Sequence, residues 1–385
     1  MEKKIGCVIA YKKGQNNYGT SLQAYALLKT IQNLGYKVEV INYIKKLSIG
    51  EKMTIAINRF RVLGIKKFIA DLRKRTNTPP ELVDQLKLRT KAVDAYKEKK
   101  LKPMFENYIG YRNLSMGSKK YDAVVVGSDQ VWLPVGLKTK FYNLLFVDDN
   151  VRKVSYASSF GVHEIPRFQR KATGEYLNRF YKIGVRELRG KEIVENVSCQ
   201  KAHVVADPTI LLTREEWEEE IKNTTISTDE PFIFCYLISE NETARNEAKK
   251  LAQKKGLKII CVRHLEKYRS IDETYGDYAP YDVDPNGFVK YIRTASYVCT
   301  DSFHCTVFSH IFHKQFITFY RTSFSKNARN SRIDSLFEML GTNKKHIFDY
   351  GGIGGIDAPI DWDCVDRKLA KFREDSLLFL SSSLD

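Results

Sequence analysis

The sequence predicts an α/β protein built from two Rossmann-like domains facing each other across a cleft. Three observations carry that prediction. Short, continuously apolar runs of the kind that form strands buried on both faces alternate with longer stretches of helical period. The apolar runs end in turns rich in glycine, serine and asparagine. The rhythm breaks at an acidic, polar stretch, residues 215–230, and then starts again. At 385 residues, with 43% hydrophobic and 12% aromatic content, the chain is long and apolar enough for two packed domains.

The first half runs as follows. Residues 4–11 are a buried strand and 12–19 a turn rich in glycine and asparagine. Thr20 and Ser21 are suited to cap a helix over 22–34, with Leu22, Ala26, Leu27 and Ile31 on one face. Gly35 ends it and 37–43 is the next strand. The unit lacks the spacing GxGxxG, so no dinucleotide cofactor is expected, although backbone N–H groups at the turn suit hydroxyls or an anion. Strand 121–126 runs into Gly127-Ser-Asp-Gln-Val-Trp132. Strand 151–157 ends in Ser158-Ser-Phe-Gly161. A helix over 167–180 leads to Ile183-Gly-Val-Arg-Glu187, where Arg186 is either in a fixed ion pair with Glu187 or a neighbouring acid, or a clamp for a carboxylate or phosphate. The run 203–212 closes the half, with Asp207-Pro208 at the strand end.

Residues 45–112 read as a helical insertion of different character. Between 45 and 103 there are 17 lysines and arginines against 6 acids, a net +11 within a chain total of +17. Residues 53–75 alternate apolar and basic side chains at helical spacing, 78–80 break the pattern, and 81–100 form a second charged helix. Such a basic amphipathic helix either lies on an anionic membrane surface or packs its apolar face on the core and solvates its charges.

The second half restarts with strand 232–237, helix 241–255 and strand 257–262, which carries Arg263 and His264 at its end. A helix over 284–295 follows, and then the stretch that organises the chain, residues 297–310. An apolar strand breaks into Thr300-Asp301-Ser302 and carries His304 into a helix, with a further strand at 315–320. In open α/β sheets, ligands sit at the carboxyl ends of strands and against helix N-termini. This turn suits an anionic substrate and a proton-transfer residue; the plainer reading is a capped helix with a satisfied histidine. Helices over 331–340 and 367–380 complete the chain. The expected domains are 1–218, 219–350, and a tail, 351–385, folding back on the first.

Seven cysteines are scattered without a CxxC pair, four of them (Cys7, Cys235, Cys261, Cys299) in strand-like runs, which favours a reducing compartment. No apolar run reaches membrane-spanning length and no signal-peptide pattern opens the chain, so a cytoplasmic location is expected.

Seven motifs occur in one order across residues 4–345: Asn17-Tyr-Gly-Thr-Ser-Leu-Gln-Ala24, Gly127-Ser-Asp-Gln-Val-Trp132, Ser155-Tyr-Ala-Ser-Ser-Phe-Gly161, Val185-Arg-Glu187, Ala206-Asp-Pro-Thr209, Thr300-Asp-Ser-Phe-His-Cys-Thr306 and Asn330-Ser-Arg-Ile333. Together they resemble the polysaccharide pyruvyl transferase family. The resemblance implies a GT-B-like fold. It implies transfer of the enolpyruvyl carbons of phosphoenolpyruvate onto two hydroxyls of a sugar, giving a cyclic ketal and phosphate, with no metal and no organic cofactor. The family histidine falls on His304, the donor-binding arginine on Arg186, and an acceptor-side or basic aspartate on Asp129.

Some family members carry an arginine two residues before the histidine; Ser302 stands there in this chain. The donor's charge then needs other cations, and Arg332 and Arg321 are the candidates. The donor side is thus assigned to Arg186, Ser302, Asp301, Arg332 and Arg321. The acceptor side is assigned to Asn17, Tyr18, Gln23, Gln130, Trp132 and Phe160, with the sugar stacked on Trp132. His304 and Asp129 are the expected catalytic pair. If the acceptor is a lipid-linked oligosaccharide, the basic helix would bring the chain to the inner face of the plasma membrane. The nearest rival is a GT-B glycosyltransferase using a nucleotide-sugar, with Glu240 or Asp282 on the ribose. A further rival is a non-catalytic member of a polysaccharide assembly complex. No nucleic acid partner is expected, because the basic residues cluster in one insert and no recognition motif accompanies them.

Overall fold

The computed structural model describes residues 3–11, 14, 17–72, 80–228, 230–263, 269–272, 274–321 and 328–385. The expected break over 78–80, through Pro79, and His264 lie outside them. Among the described residues the first half forms a parallel sheet of seven strands: β1 (Lys4–Val8), β2 (Lys37–Ile44), β3 (Phe105–Ile109), β4 (Ala123–Val126), β5 (Arg152–Ser158), β6 (Lys182–Val185) and β7 (Ala202–Val204). Their spatial order is β3-β2-β1-β4-β5-β6-β7. The chain winds outward from β1 on one side and resumes at β4 on the other. The carboxyl ends of β1 and β4 therefore flank a topological switch point, where a crevice opens.

Helix α1 (Tyr18–Asn33) leaves β1 for β2. Its cap is Asn17, whose side chain accepts the Thr20 N–H at 3.1 Å, so Thr20 and Ser21 lie in the first turn rather than ahead of it. Helices α2 (Ile49–Leu72) and α3 (Pro80–Lys100) form the basic insert. Its extent is shorter than 45–112, because 105–109 pair with β2 as the edge strand β3. The chain continues through α4 (Tyr111–Ser118), α5 (Arg170–Leu177) and α6 (Leu188–Val197).

The run 203–212 is not one strand. It stops at Val204, and Pro208 opens the short helix α7 (Pro208–Leu211), with Asp207 as its cap, accepting from the Thr209 N–H at 3.1 Å. The acidic stretch 215–230, where the rhythm breaks, is in part helical. Its first part is helix α8 (Arg214–Ile221), anchored by the wholly buried Trp217, whose indole meets Phe308 at 5.0 Å.

The second sheet is parallel and four-stranded among the described residues. It comprises β8 (Phe232–Tyr236), β9 (Lys258–Cys261), β10 (Tyr297–Thr300) and β11 (Gln315–Thr318), in the order β11-β10-β8-β9. Helices α9 (Glu242–Lys255), α10 (Pro285–Thr294), α11 (Phe303–Ile311), α12 (Ala328–Leu340) and α13 (Phe348–Gly351) accompany it. The last helix, α14 (Trp362–Leu384), returns to the first sheet, where Ser376 Oγ accepts the Ala206 N–H at 2.9 Å. The two Rossmann-like sheets expected from the sequence are thus present. Between them one apolar core runs on without interruption, with Leu22 and Leu27 of α1 in the same cluster as Phe288 of α10 and Phe308 of α11. Arg89 of α3 ties the insert to the second half: it is buried, and its guanidinium donates to the carbonyls of Pro280, Tyr281 and Arg263 at 2.6, 2.7 and 3.2 Å. Among the described residues no helix is long and apolar enough to cross a membrane.

Candidate active site

The site assembles where the switch point of the first sheet meets the N-terminus of α11. Arg186 follows β6 and is buried beneath it. Its guanidinium donates to Asp207 at 3.0 Å and to Asp129 at 3.3 Å, lies 3.8 Å from a Glu187 oxygen, and stacks over the Phe303 ring at 5.0 Å. Asp129, in the turn after β4, also accepts from the Thr20 hydroxyl at 3.0 Å. Its φ of +75° is in the left-handed region, which aspartate tolerates better than most residues.

His304 sits in the first turn of α11, with its Nε2 3.5 Å from Asp207 and no hydrogen-bond partner at that nitrogen. The ring abuts the first turn of α1 so tightly that a β-carbon on Gly19 would lie 2.0 Å from Nδ1. Glycine is needed at 19 because of this close approach. The histidine is thereby held between the two halves, facing three acids and two arginines.

Burial by itself raises each of the acids, and the neighbours decide the outcome. For Asp129, the Arg186 guanidinium, His304 and Arg332 outweigh burial and hold the carboxyl below its usual range. For Asp207, His304 and Arg186 do the same more strongly. For Glu187 burial wins, and its carboxyl is pushed up despite Arg186 and Arg332. One Glu187 oxygen accepts from Ser159 Oγ at 2.7 Å; the other has no hydrogen-bond partner. Arg332, on α12, is 6% exposed and has no carboxylate within ion-pair distance among the described residues. Burial, with Arg186 and Arg321 adding repulsion, pulls it down to about 9.

His304, Asp129, Arg186 and Arg332 of the expected residues are brought together, and Arg321 borders them, its Nε donating to the Asp301 carbonyl at 3.0 Å. Others are committed elsewhere. Asp301 accepts the N–H groups of Ile238 and Ser239 at 2.6 and 2.7 Å, which braces the turn after β8. Ser302 is the cap of α11, with its hydroxyl aimed at the Cys305 N–H. The Asp301 carboxylate is therefore committed, whereas the Ser302 hydroxyl accepts from the Cys305 N–H at 3.5 Å and keeps its own proton to donate.

On the acceptor side the corrections are larger. Tyr18 is buried, donates to the Val283 carbonyl at 3.0 Å, and stacks on Phe288 at 4.7 Å. Gln23 is buried and accepts the Ser128 N–H at 3.1 Å, holding the turn that presents Asp129. Trp132 is 4% exposed, donates to the Tyr142 carbonyl, and packs among Phe160, Tyr176 and Phe180. Phe160 is fully buried. No sugar reaches these side chains, because each fills core space that a ring would have to displace. Asn17 caps α1, and Gln130 remains half-buried beside Gly161.

Asp207 and Gly19 were not assigned to the site from the sequence, and Glu187 was named there only as an ion-pair partner for Arg186, which it approaches at 3.8 Å. For Asp207 a signal existed: Asp before Pro marks a helix cap and first turn, so its side chain had to face a helix N-terminus. A small pocket lined by Tyr11, Asn17, Thr20, Ser21 and Lys97 opens beside Thr20, one hydroxyl away from Asp129. The larger cavity, about 740 Å³, lies farther along α1, between Tyr25, Lys29, Lys100 and Glu220, and shares no residue with the site. Among the described residues no group of three or more histidines, cysteines or acids is arranged to hold a metal ion.

Comparison with known proteins gives a consistent family and a general structural likeness. The chain is similar in structure to a UDP-GlcNAc 2-epimerase from Neisseria meningitidis bound to UDP-GlcNAc, with TM-score 0.48 and 10% identity over 98% of this chain and 100% of that one. It is similar also to MurG from Acinetobacter baumannii, with TM-score 0.42 and 12% identity over 99% and 98%. A glycosyltransferase of kitacinnamycin gives TM-score 0.46 and 9% identity over the whole of both chains. No curated protein sequence matches the chain significantly. The family model for polysaccharide pyruvyl transferases matches residues 17–323, which span every residue of the site except Arg332. The chain belongs to the polysaccharide pyruvyl transferase family.

Proposed function

We propose that the chain transfers the enolpyruvyl carbons of phosphoenolpyruvate onto two hydroxyls of one sugar, forming a cyclic pyruvate ketal and releasing phosphate, in surface polysaccharide synthesis. The observation that carries the reading is Arg332, a buried guanidinium beside Arg186 and Arg321 with no acid in ion-pair reach among the described residues. A buried guanidinium that has an aromatic ring at 5.6 Å but no carboxylate in ion-pair reach among the described residues is costly, and an incoming anion relieves that cost. Phosphoenolpyruvate brings a carboxylate and a phosphate within one small molecule. Arg332, Arg321 and the N-terminus of α11 receive them, while Arg186, already held by two acids, fixes the cluster.

In this mechanism one sugar hydroxyl adds to the phosphate-bearing carbon while a proton reaches the methylene carbon, which becomes a methyl group. The carbon–oxygen bond to phosphate breaks, and the second hydroxyl closes the ring. Of the two hydroxyl protons, one is replaced on the methyl group and the other leaves with phosphate. His304 is the general acid/base, with Asp207 orienting its imidazole; Asp129, steadied by Thr20, orients or deprotonates the attacking hydroxyl. The acceptor, a sugar or a lipid-linked oligosaccharide, approaches past Asn17, Thr20 and Gln130 instead of stacking on Trp132.

The test is calorimetric binding of phosphoenolpyruvate, paired with phosphate release in the presence of galactose-, glucose- and N-acetylmannosamine-containing acceptors. Wild type should bind the donor, and Arg332→Gln should lose affinity by at least about tenfold. If wild type binds no phosphoenolpyruvate and instead turns over a nucleotide-sugar, the reading fails.

A further inference from the structure

Helix α2 is inside out. Its inner face consists of Glu51, Ile55, Asn58 and Val62, spaced i, i+4, i+7 and i+11, and the one fully buried residue among them is polar. Asn58, 4% exposed, donates to the carbonyls of Pro134 and Val135 at 3.1 and 3.2 Å and accepts from Gln169 at 2.6 Å. The helix is therefore fastened to the body by an amide. The outer face carries Ile49, Met53, Ile57 and Phe60, at i, i+4, i+8 and i+11, which are 80, 60, 53 and 43% exposed. Lys52 flanks this stripe on one side and Arg61 on the other, and Lys45 and Lys46 precede it. Residues 45–67 hold seven lysines and arginines against one acid, and that acid, Glu51, is taken up by the Ser48 N–H and hydroxyl.

We infer that this face of α2 docks the protein on an anionic lipid bilayer. Four large apolar side chains on one stripe sink into the headgroup boundary, and the basic flanks meet lipid phosphates. Charge complementarity selects this occupant. In a two-fold pairing with a second copy, the same patch meets itself and brings the like-charged basic flanks of both chains together. A bilayer supplies the opposite charge along both flanks at once. Gly64 breaks the helix, with φ +72° and ψ 163°, so the docking stripe is confined to 49–63. The surface is separate from the His304 site, and the inference does not depend on the donor or the reaction.

Flotation of the full chain with vesicles tests it, in the absence of any donor or acceptor. With phosphatidylcholine vesicles containing about one third phosphatidylglycerol, wild type should bind at least about tenfold better than with phosphatidylcholine alone, and the binding should weaken as salt is raised. The exposed triple variant Ile49→Ser/Met53→Ser/Ile57→Ser should lose about tenfold or more. Lys45→Gln/Lys46→Gln/Lys52→Gln should weaken binding and flatten its salt dependence. Equal binding to both vesicle types, no binding of wild type, or a triple variant that binds as well as wild type overturns the inference. So does sedimentation in which wild type is a dimer, the triple variant is a monomer, and neither floats.

Discussion

Each sheet reverses its strand order beside a central strand, and each places an aspartate at that point, yet the two aspartates do opposite things. Asp301, after β10, spans its own crevice and takes the N–H groups of Ile238 and Ser239 after β8. The crevice of the second sheet is closed by its own carboxylate. Asp129, after β4, is held by a hydroxyl from the far side of the crevice and by Arg186, and its side chain keeps 20% of its surface exposed. Its partners are charges and a hydroxyl, which can be exchanged with those of a substrate; backbone amides cannot. The second sheet is thus braced where it presents His304, while the first sheet's crevice holds an aspartate whose partners can be exchanged; on the proposed reading both halves contribute groups to the reaction.

The largest effect that would break this comparison is at the residue joining the two. His304→Ala should fold normally, since the side chain is packed against glycine and its Nε2 has no hydrogen-bond partner. Its turnover should fall by at least about a hundredfold, the lower range of a lost general acid/base. Near-normal phosphate release in a folded His304→Ala would remove the proton-transfer role from the second half and leave it only the donor-binding arginines.

Next in size is the effect at Asp301. Asp301→Ala strips two half-buried N–H groups of their acceptor, which should cost about 1–3 kcal/mol of stability in denaturant unfolding. Donor affinity in the folded fraction should stay within about twofold, because a bracing carboxylate is not a ligand group. A stable Asp301→Ala that fails to bind donor would instead make both aspartates working residues.

Much of this division was legible in the sequence, and the part that was not has physical reasons. The alternation of buried runs and helices gave both sheets, and the position of His304 after a strand placed it at a helix N-terminus. What a side chain does at a strand end was less legible, because Asp129 and Asp301 have similar local surroundings and differ only in what the rest of the chain brings to them. Trp132 looked available in a polar turn; its indole is engaged by the Tyr142 carbonyl from the irregular stretch after it, which has no periodic signal. The edge strand β3 was absorbed into the insert because Phe105-Glu-Asn-Tyr-Ile109 is short and half polar, as edge strands are. Asp207 was read at a strand end, but nothing in the sequence showed which charges would face it there, because Arg186 and His304 come from distant parts of the chain.

The smallest expected effect tests how the charges on the first sheet's side are balanced. Three acids, Asp129, Glu187 and Asp207, face Arg186 and Arg332, and only Glu187 has its carboxyl pushed above the usual value, burial outweighing the two guanidiniums. In the unfolded chain this glutamate ionises near its ordinary value of 4.5. In the folded chain it holds its proton to higher pH, so the native state is favoured below the ordinary value and loses that advantage as pH rises through the folded one. Glu187→Gln keeps an oxygen for the Ser159 hydroxyl and removes the charge. At pH 7 it should raise the melting temperature by roughly 1–3 °C, and at about pH 4 the difference from wild type should vanish. A melting temperature that falls at pH 7 would mean that the ionised carboxylate is needed against Arg186 and Arg332. The first sheet's side would then already be neutralised by its own acids, and the buried guanidinium of Arg332 would have less need of an anion from outside.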